Sequence, residues 1–274
     1  MTLRIFPQIE QRTPDWYDQR RGIVTASMVG GLLTTRKLTA IDHDCPNCGA
    51  TATNPCVGKR SPEQPIKTLH TERAAVAKSA SSPTIIEPAS NDVSRSITTL
   101  LVAERITGWT EEGWISDAMW RGIEDEPRAR DAYAEHYAPV TEVGFMTRND
   151  WGFRIGYSPD GLVGDDGLIE IKSRAPKSQV ATVISGHPPA DNMAQLQCGL
   201  LVSGRKWIDY ISYAGGMALW RRRIFPDERW VRAIIRAVGA LEANAAEMMR
   251  VYAEETEGLP MTERITTPAM ELEF

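Results

Sequence analysis

The stretch "GYSPDGLVGDDGLIEIKSRAP", residues 156–176, holds three residues able to act together, Asp160, Glu170 and Lys172. Glu170 and Lys172 are two apart in an apolar run, so on a strand they share one face. A hairpin at "GDDG" brings Asp160 towards that face. Two converging carboxylates repel unless a cation lies between them, and hard oxygen ligands with room for water favour Mg²⁺ or Mn²⁺. A lysine beside such a cation can orient or help deprotonate a water, or offset charge as a phosphodiester passes through its pentavalent transition state. The same spacing also suits a solvated edge strand. The apolar neighbours Leu168, Ile169 and Ile171 instead point to a central strand, where such charges need a reason.

Two further constellations could do chemistry. In "RRGIVTAS" an arginine precedes a glycine turn, and Thr25 and Ser27 follow at an expected helix N-terminus. Guanidinium, hydroxyls and free amides would form an anion pocket, with Arg21 competing with Arg20 and Thr25 also readable as a helix cap. In "CPNCGATATNPCVGKRSPEQPIKTLHTER" the Cys45–Cys48 knuckle aims two thiolates at one point, and Cys56 and His70 can complete a tetrahedral Zn²⁺ site. His43 is a rival fourth ligand, and free thiols on a loop are the alternative. A stretch with so little core of its own gains its fold from the metal. Cys198, inside an apolar helix, reads as core. Gln195 and Gln197 in "AQLQ" lie on the same helix, and Gln197 reads as structural.

The elements that must position these groups can be read along the chain. It has 274 residues, 42% hydrophobic, enough for one large core. "RTPDWYDQRRGIVTASMVGGLL" predicts two short helices around Gly22, the first capped by Thr13 or Asp15 and the second by Thr25. The stretch from Thr34 to Ser96, rich in Pro, Ser and Thr, reads as an insertion. "NDVSRSITTLLVAERITG" is a helix, and "SDAMWRGIEDEPRARDAYAEHYA" a second one, interrupted or restarted at Pro127. "VTEVGFMTR", "GFRIGYS" and "GLIEIKS" predict three strands in a meander. A helix ends at Gly204, a hairpin turns at Gly215 and Gly216, and residues 227–255 form an amphipathic helix.

The net charge of -5 would repel nucleic acid, so DNA binding needs a local basic surface. Arg174 and Lys177 flank the first constellation; Arg205, Lys206 and Arg221 to Arg223 are further candidates. The N-terminus lacks signal-peptide features and no run of about eighteen apolar residues occurs, so a cytoplasmic protein without a membrane role is expected.

In order along the chain, "RRGIVTAS", "TLLVAERITG", "WRGIEDEPRAR", "GYSPDGLVGDDGLIEIK" and "NMAQLQCGLLVSGRKWIDYISY" resemble the YqaJ-type viral recombinases, the phage lambda exonuclease family of the PD-(D/E)XK nuclease superfamily. The resemblance implies an α/β fold, a restriction-endonuclease-like core with a central mixed sheet flanked by helices. Residues 1–274 would be a single exonuclease domain, with the zinc-binding insertion at 42–80 departing from the family pattern. By the same resemblance, Asp160, Glu170 and the Ile171 carbonyl hold Mg²⁺ or Mn²⁺, and Glu126 joins them at metal or water. Lys172 is the catalytic lysine, Gln195 holds that lysine or the attacking water, and Arg20, Ser27 and Thr25 grip a 5′-phosphate. Arg174 and Lys177 are the expected DNA contacts. The implied activity is Mg²⁺-dependent 5′-to-3′ digestion of double-stranded DNA ends, leaving 3′ single strands for phage-type recombination in a bacterial host cell. An endonuclease of the superfamily and a non-catalytic DNA-end-binding module are the alternatives. Family members are often homotrimers and work beside a single-strand annealing protein.

Overall fold

The computed structural model describes residues 2–58, 61–79, 84–111 and 115–264. Strand β1 (Leu3–Phe6) and helix α1 (Pro14–Arg20) lead into the two-residue strand β2 (Val24–Thr25). The strand β3 (Leu33–Lys37) then runs out to the cysteine-rich segment, which holds β4 (Val57–Gly58), β5 (Ser61–Pro65) and helix α2 (Thr71–Ser79). The chain returns along β6 (Thr84–Pro88), antiparallel to β3, so a two-stranded ribbon flanks that segment. Helix α3 (Asp92–Thr107) starts where Asn91 and Ser94 exchange side-chain and backbone hydrogen bonds, and stops at Gly108, whose left-handed φ of 60° ends the ladder.

Helix α4 (Asp117–His136) runs straight through Pro127. The expected interruption does not occur: Pro127 is exposed, and the helix forgoes one ladder bond there without parting. Then come β7 (Phe145–Arg148), β8 (Ile155–Tyr157), β9 (Gly161–Val163), β10 (Gly167–Ser173), α5 (Pro176–Ser185), α6 (Ala190–Ser203), β11 (Trp207–Tyr213), β12 (Trp220–Ile224) and α7 (Glu228–Glu255).

The strands form two four-stranded sheets, β1-β7-β8-β2 and β12-β11-β10-β9, beside the two short ribbons. β10 and β11 are parallel while β9 and β12 are antiparallel to them, so the second sheet is mixed, as expected for this α/β class. The expected three-strand meander is instead divided: β7 and β8 pair with each other, but β10 belongs to the other sheet with β9. The second helix expected after Gly22 is also absent. Val24 and Thr25 pair in parallel with Ile155 and Gly156, and only a 3₁₀ turn over Val29–Leu32 follows, so Thr25 lies on a strand rather than at a cap.

Alternation on β10 sorts its side chains. Leu168 joins Tyr210, Leu196 and the buried stripe of α7 in the main core, whereas Ile169 and Ile171 meet Ala129 and Tyr133 of α4 on the opposite face. Glu170 and Lys172 therefore belong to the face covered by α6.

Candidate active site

The β9–β10 hairpin sets Gly161 opposite Ile169, and its backbone ladder ends beside Asp160. There the carboxylate takes over from the backbone: Asp160 Oδ2 accepts the Ile171 N–H at 2.6 Å. Glu170 is 1% exposed and accepts from Lys172 Nζ at 2.7 Å, from Gln195 Nε2 at 2.5 Å and from the Tyr157 hydroxyl at 3.1 Å. Glu126 approaches from α4, accepting from Arg130 at 2.5 Å and from Arg12 at 3.1 Å. Arg130 also donates its Nε to the Asp160 carbonyl at 2.8 Å and pairs with Glu142 at 2.9 Å, tying the Asp160 turn to α4.

Burial pushes the Asp160 carboxyl well above the usual carboxylate range, and the negative charges of Glu170 and Glu126 push the same way. For Lys172 burial works against the charged form, but Glu170 and Asp160 outweigh it and hold the ammonium above its ordinary value. Burial, with Glu170 and Asp160 nearby, likewise keeps Tyr157 a neutral phenol. Two converging acids, Glu170 buried and Asp160 half-buried and discouraged from ionising, are a donor set suited to a hard divalent cation.

Asp160, Glu170, Ile171, Lys172, Gln195 and Glu126 line a cleft of about 480 Å³ together with Arg20, Thr25 and Ser27. The Arg20 guanidinium stacks 3.8 Å from the Trp16 ring and makes one long contact, 3.5 Å, to Thr25 Oγ1, which lies 3.1 Å from Ser27 Oγ. Among the described residues no carboxylate pairs with it. Burial lowers its pKa to about 10, against the opposing effect of Tyr17 and Glu104. A half-buried cation without its own acid among the described residues, beside two hydroxyls, is an anion site. Arg21 turns away onto Asp18 at 2.6 Å. The free amides of a helix N-terminus, expected to help here, are missing because β2 replaces that helix.

The basic candidates separate by what they touch. Lys177 is exposed on the first turn of α5, while Arg174 is half-buried and bonded to the Tyr210 hydroxyl at 2.6 Å and to Asn192. Arg205 donates to the Gly164 and Gly167 carbonyls, Lys206 pairs with Asp166, and Arg221 and Arg223 pair with buried Asp209. Gln197 donates to the Phe225 carbonyl and accepts the Asp227 N–H, and Cys198 is buried in the core. Sequence reasoning missed Arg12, Arg130, Tyr157 and Trp16. The i,i+4 spacing from Glu126 to Arg130 was the one available signal.

Away from the cleft, ligand atoms of Cys45, Cys48, Cys56 and His70 all lie within 4.8 Å of one another, a Cys₃His set that fits Zn²⁺. His43 is outside it. Backbone N–H groups of Val57 and Ala50 lower Cys48 to about 7, favouring the thiolate that a metal needs. Arg73, wholly buried, donates to the carbonyls of Ile41, His43, Thr51 and Asn54 and lies 3.4 Å from Cys56 Sγ. One guanidinium thus binds the loops together and balances thiolate charge.

Residues 76–206 match the YqaJ-like viral recombinase domain. With the structural likeness reported below, that domain match makes the chain a nuclease of the exonuclease class acting on DNA. Its residues 10–89 match a model described as "Putative DNA-binding phage zinc finger domain". No curated protein matches the chain. Among solved structures it is similar to an alkaline exonuclease from Laribacter hongkongensis, at 26% identity over 90% of this chain and 100% of that one, with a TM-score of 0.62. The same exonuclease in complex with dAMP matches with a TM-score of 0.63, again at 26% identity over 90% of this chain and 100% of that one. No helix among the described residues is long and apolar enough to cross a membrane.

Proposed function

We propose that the chain is a Mg²⁺-dependent exonuclease that degrades one strand of double-stranded DNA ends from 5′ to 3′ and leaves a 3′ single strand for phage-type recombination. The observation that carries this reading is one cleft lined both by the acid and lysine cluster and by a half-buried arginine that, among the described residues, pairs with no carboxylate. Asp160, Glu170 and the Ile171 carbonyl would hold Mg²⁺ or Mn²⁺, with Glu126 joining once released from Arg12. When bound, the cation supplies Lewis acidity at the scissile phosphate and increases the acidity of water. Lys172, braced by Glu170, orients the attacking water and offsets charge gathering on phosphorus, and Gln195 fixes Glu170 in place. Water adds to phosphorus, the P–O3′ bond breaks, and the 3′ oxygen leaves with a proton.

Arg20, with Ser27 and Thr25, would grip the 5′-phosphate, and that grip sets the polarity. Lys177 and Arg174 would meet the DNA backbone. We read residues 1–274 as one nuclease domain with a zinc-binding insertion at 42–80, of which 59–60 and 80 lie outside the described residues. Resemblance to the YqaJ-type recombinases supports a homotrimer working beside a single-strand annealing protein in the bacterial host cytoplasm. Digestion of linear duplex DNA labelled separately at each end tests the reading: 5′ label is expected to be released first in Mg²⁺, and release of the 3′ label first would overturn it.

A further inference from the structure

The stretch "TLLVAERITG" lies on α3, outside the acid cluster, yet it grips the turn that follows Arg20 at the end of α1. Glu104, buried, accepts the Gly22 N–H at 2.7 Å, and Arg105 donates its Nε to the Gly22 carbonyl at 2.7 Å. Both backbone polar groups of one residue are held by adjacent side chains of one helix. Arg105 is itself fixed by a two-pronged pair with Glu242 of α7, at 2.7 and 2.8 Å. Gly22 adopts φ +67°, and a Cβ there would lie 2.7 Å from Arg105 Cγ, so the clamp closes on a residue that only glycine suits. The turn so held is closed by the Ile23 N–H on the Arg20 carbonyl at 3.2 Å and feeds directly into β2 and Thr25.

A buried carboxylate near a half-buried guanidinium ordinarily pairs with it. Glu104 instead directs an oxygen to a backbone N–H, and Arg20 keeps its charge for the cleft. We propose that Glu104, together with Arg105, is a positioning residue for terminal-phosphate recognition, holding the Gly22 turn so that Arg20 faces the cleft as an unpaired cation. This rests on the reading of Arg20, Thr25 and Ser27 as the 5′-phosphate pocket.

The test compares kcat/KM on duplex ends bearing a 5′-phosphate or a 5′-hydroxyl. Glu104→Ala is expected to lower the phosphate-to-hydroxyl ratio about tenfold, the loss of one well-aimed charged contact, through a raised KM on phosphorylated ends at unchanged kcat. Glu104→Gln, whose amide oxygen still accepts the Gly22 N–H, is expected to restore the parental ratio, and Arg105→Met to lower it as Glu104→Ala does. The proposal is overturned if Glu104→Ala keeps the parental ratio or loses activity equally on both ends. Should Glu104→Ala not fold, Arg105→Met decides by the same criteria. An Arg20→Ala enzyme that retains the preference would overturn the pocket reading itself, and the clamp with it.

Discussion

Neighbouring strands β10 and β11 bury one carboxylate on each face of a single sheet, and the two are balanced in opposite ways. On the α4 face Asp209, 0% exposed, accepts from the Tyr133 hydroxyl at 2.7 Å, from Arg221 at 2.9 Å and from Arg223 at 2.8 and 2.9 Å. Burial would raise its pKa, but those partners more than offset it and hold the carboxylate below its ordinary range. On the α6 face Glu170 has Lys172, but Asp160 beside it has an N–H and, among the described residues, no cation of its own, and its carboxyl is driven upward. A closed cluster stabilises the fold. An open one beside a cleft is poised to take up a cation, at a cost to the protein that lacks it.

The widest separation between the faces should come from isosteric removal of charge. Asp160→Asn keeps an oxygen for the Ile171 N–H, so thermal stability is expected to stay level or rise while DNA cleavage falls on the order of a thousandfold, the several kcal/mol a Lewis acid contributes. Full activity in that variant would remove Asp160 from the reaction. Asp209→Asn should do the reverse. It leaves Arg221 and Arg223 short of their counter-charge, a loss of about 2 kcal/mol because both arginines still reach solvent. Urea unfolding would read that loss, and single-turnover cleavage by the folded fraction should match the parent. A drop in the chemical step would mean the two faces are not separable.

Legibility differed between the faces for a physical reason. The hairpin that brings Asp160 to Glu170 was readable because "GDDG" between two short apolar runs sets the register, and period two sets the face. Gly204 and the apolar stripe of α7 were readable for similar local reasons. The Asp209 cluster was not, since its phenol comes from a helix 76 residues away and its arginines depend on which residues β12 sets opposite β11. β2 is too short to carry a period, and its pairing with β8 is a tertiary event. In the insertion the cysteine spacing was legible, but Arg73 was not: its burial comes from loop carbonyls converging on one point, which no periodicity announces.

The smallest expected effect sharpens the comparison through pH. Tyr133 lies on the closed face, where burial and then Asp209 raise its phenol from the ordinary 10.0 to about 12. The folded protein therefore keeps this proton where the unfolded chain has lost it. The contribution of Tyr133 is fully present below pH 10 and is lost as pH rises towards 12. Tyr133→Phe removes one hydrogen bond to Asp209, so it should cost about 1 kcal/mol in urea unfolding at pH 8. The gap between parent and variant should then narrow steadily at alkaline pH as the parent loses stability that the phenylalanine form never had. A gap that stays constant from pH 8 to beyond the ordinary phenol value would mean that Asp209 is satisfied by its two arginines alone, and that α4 serves the closed face by apolar packing and not through the Tyr133 hydroxyl.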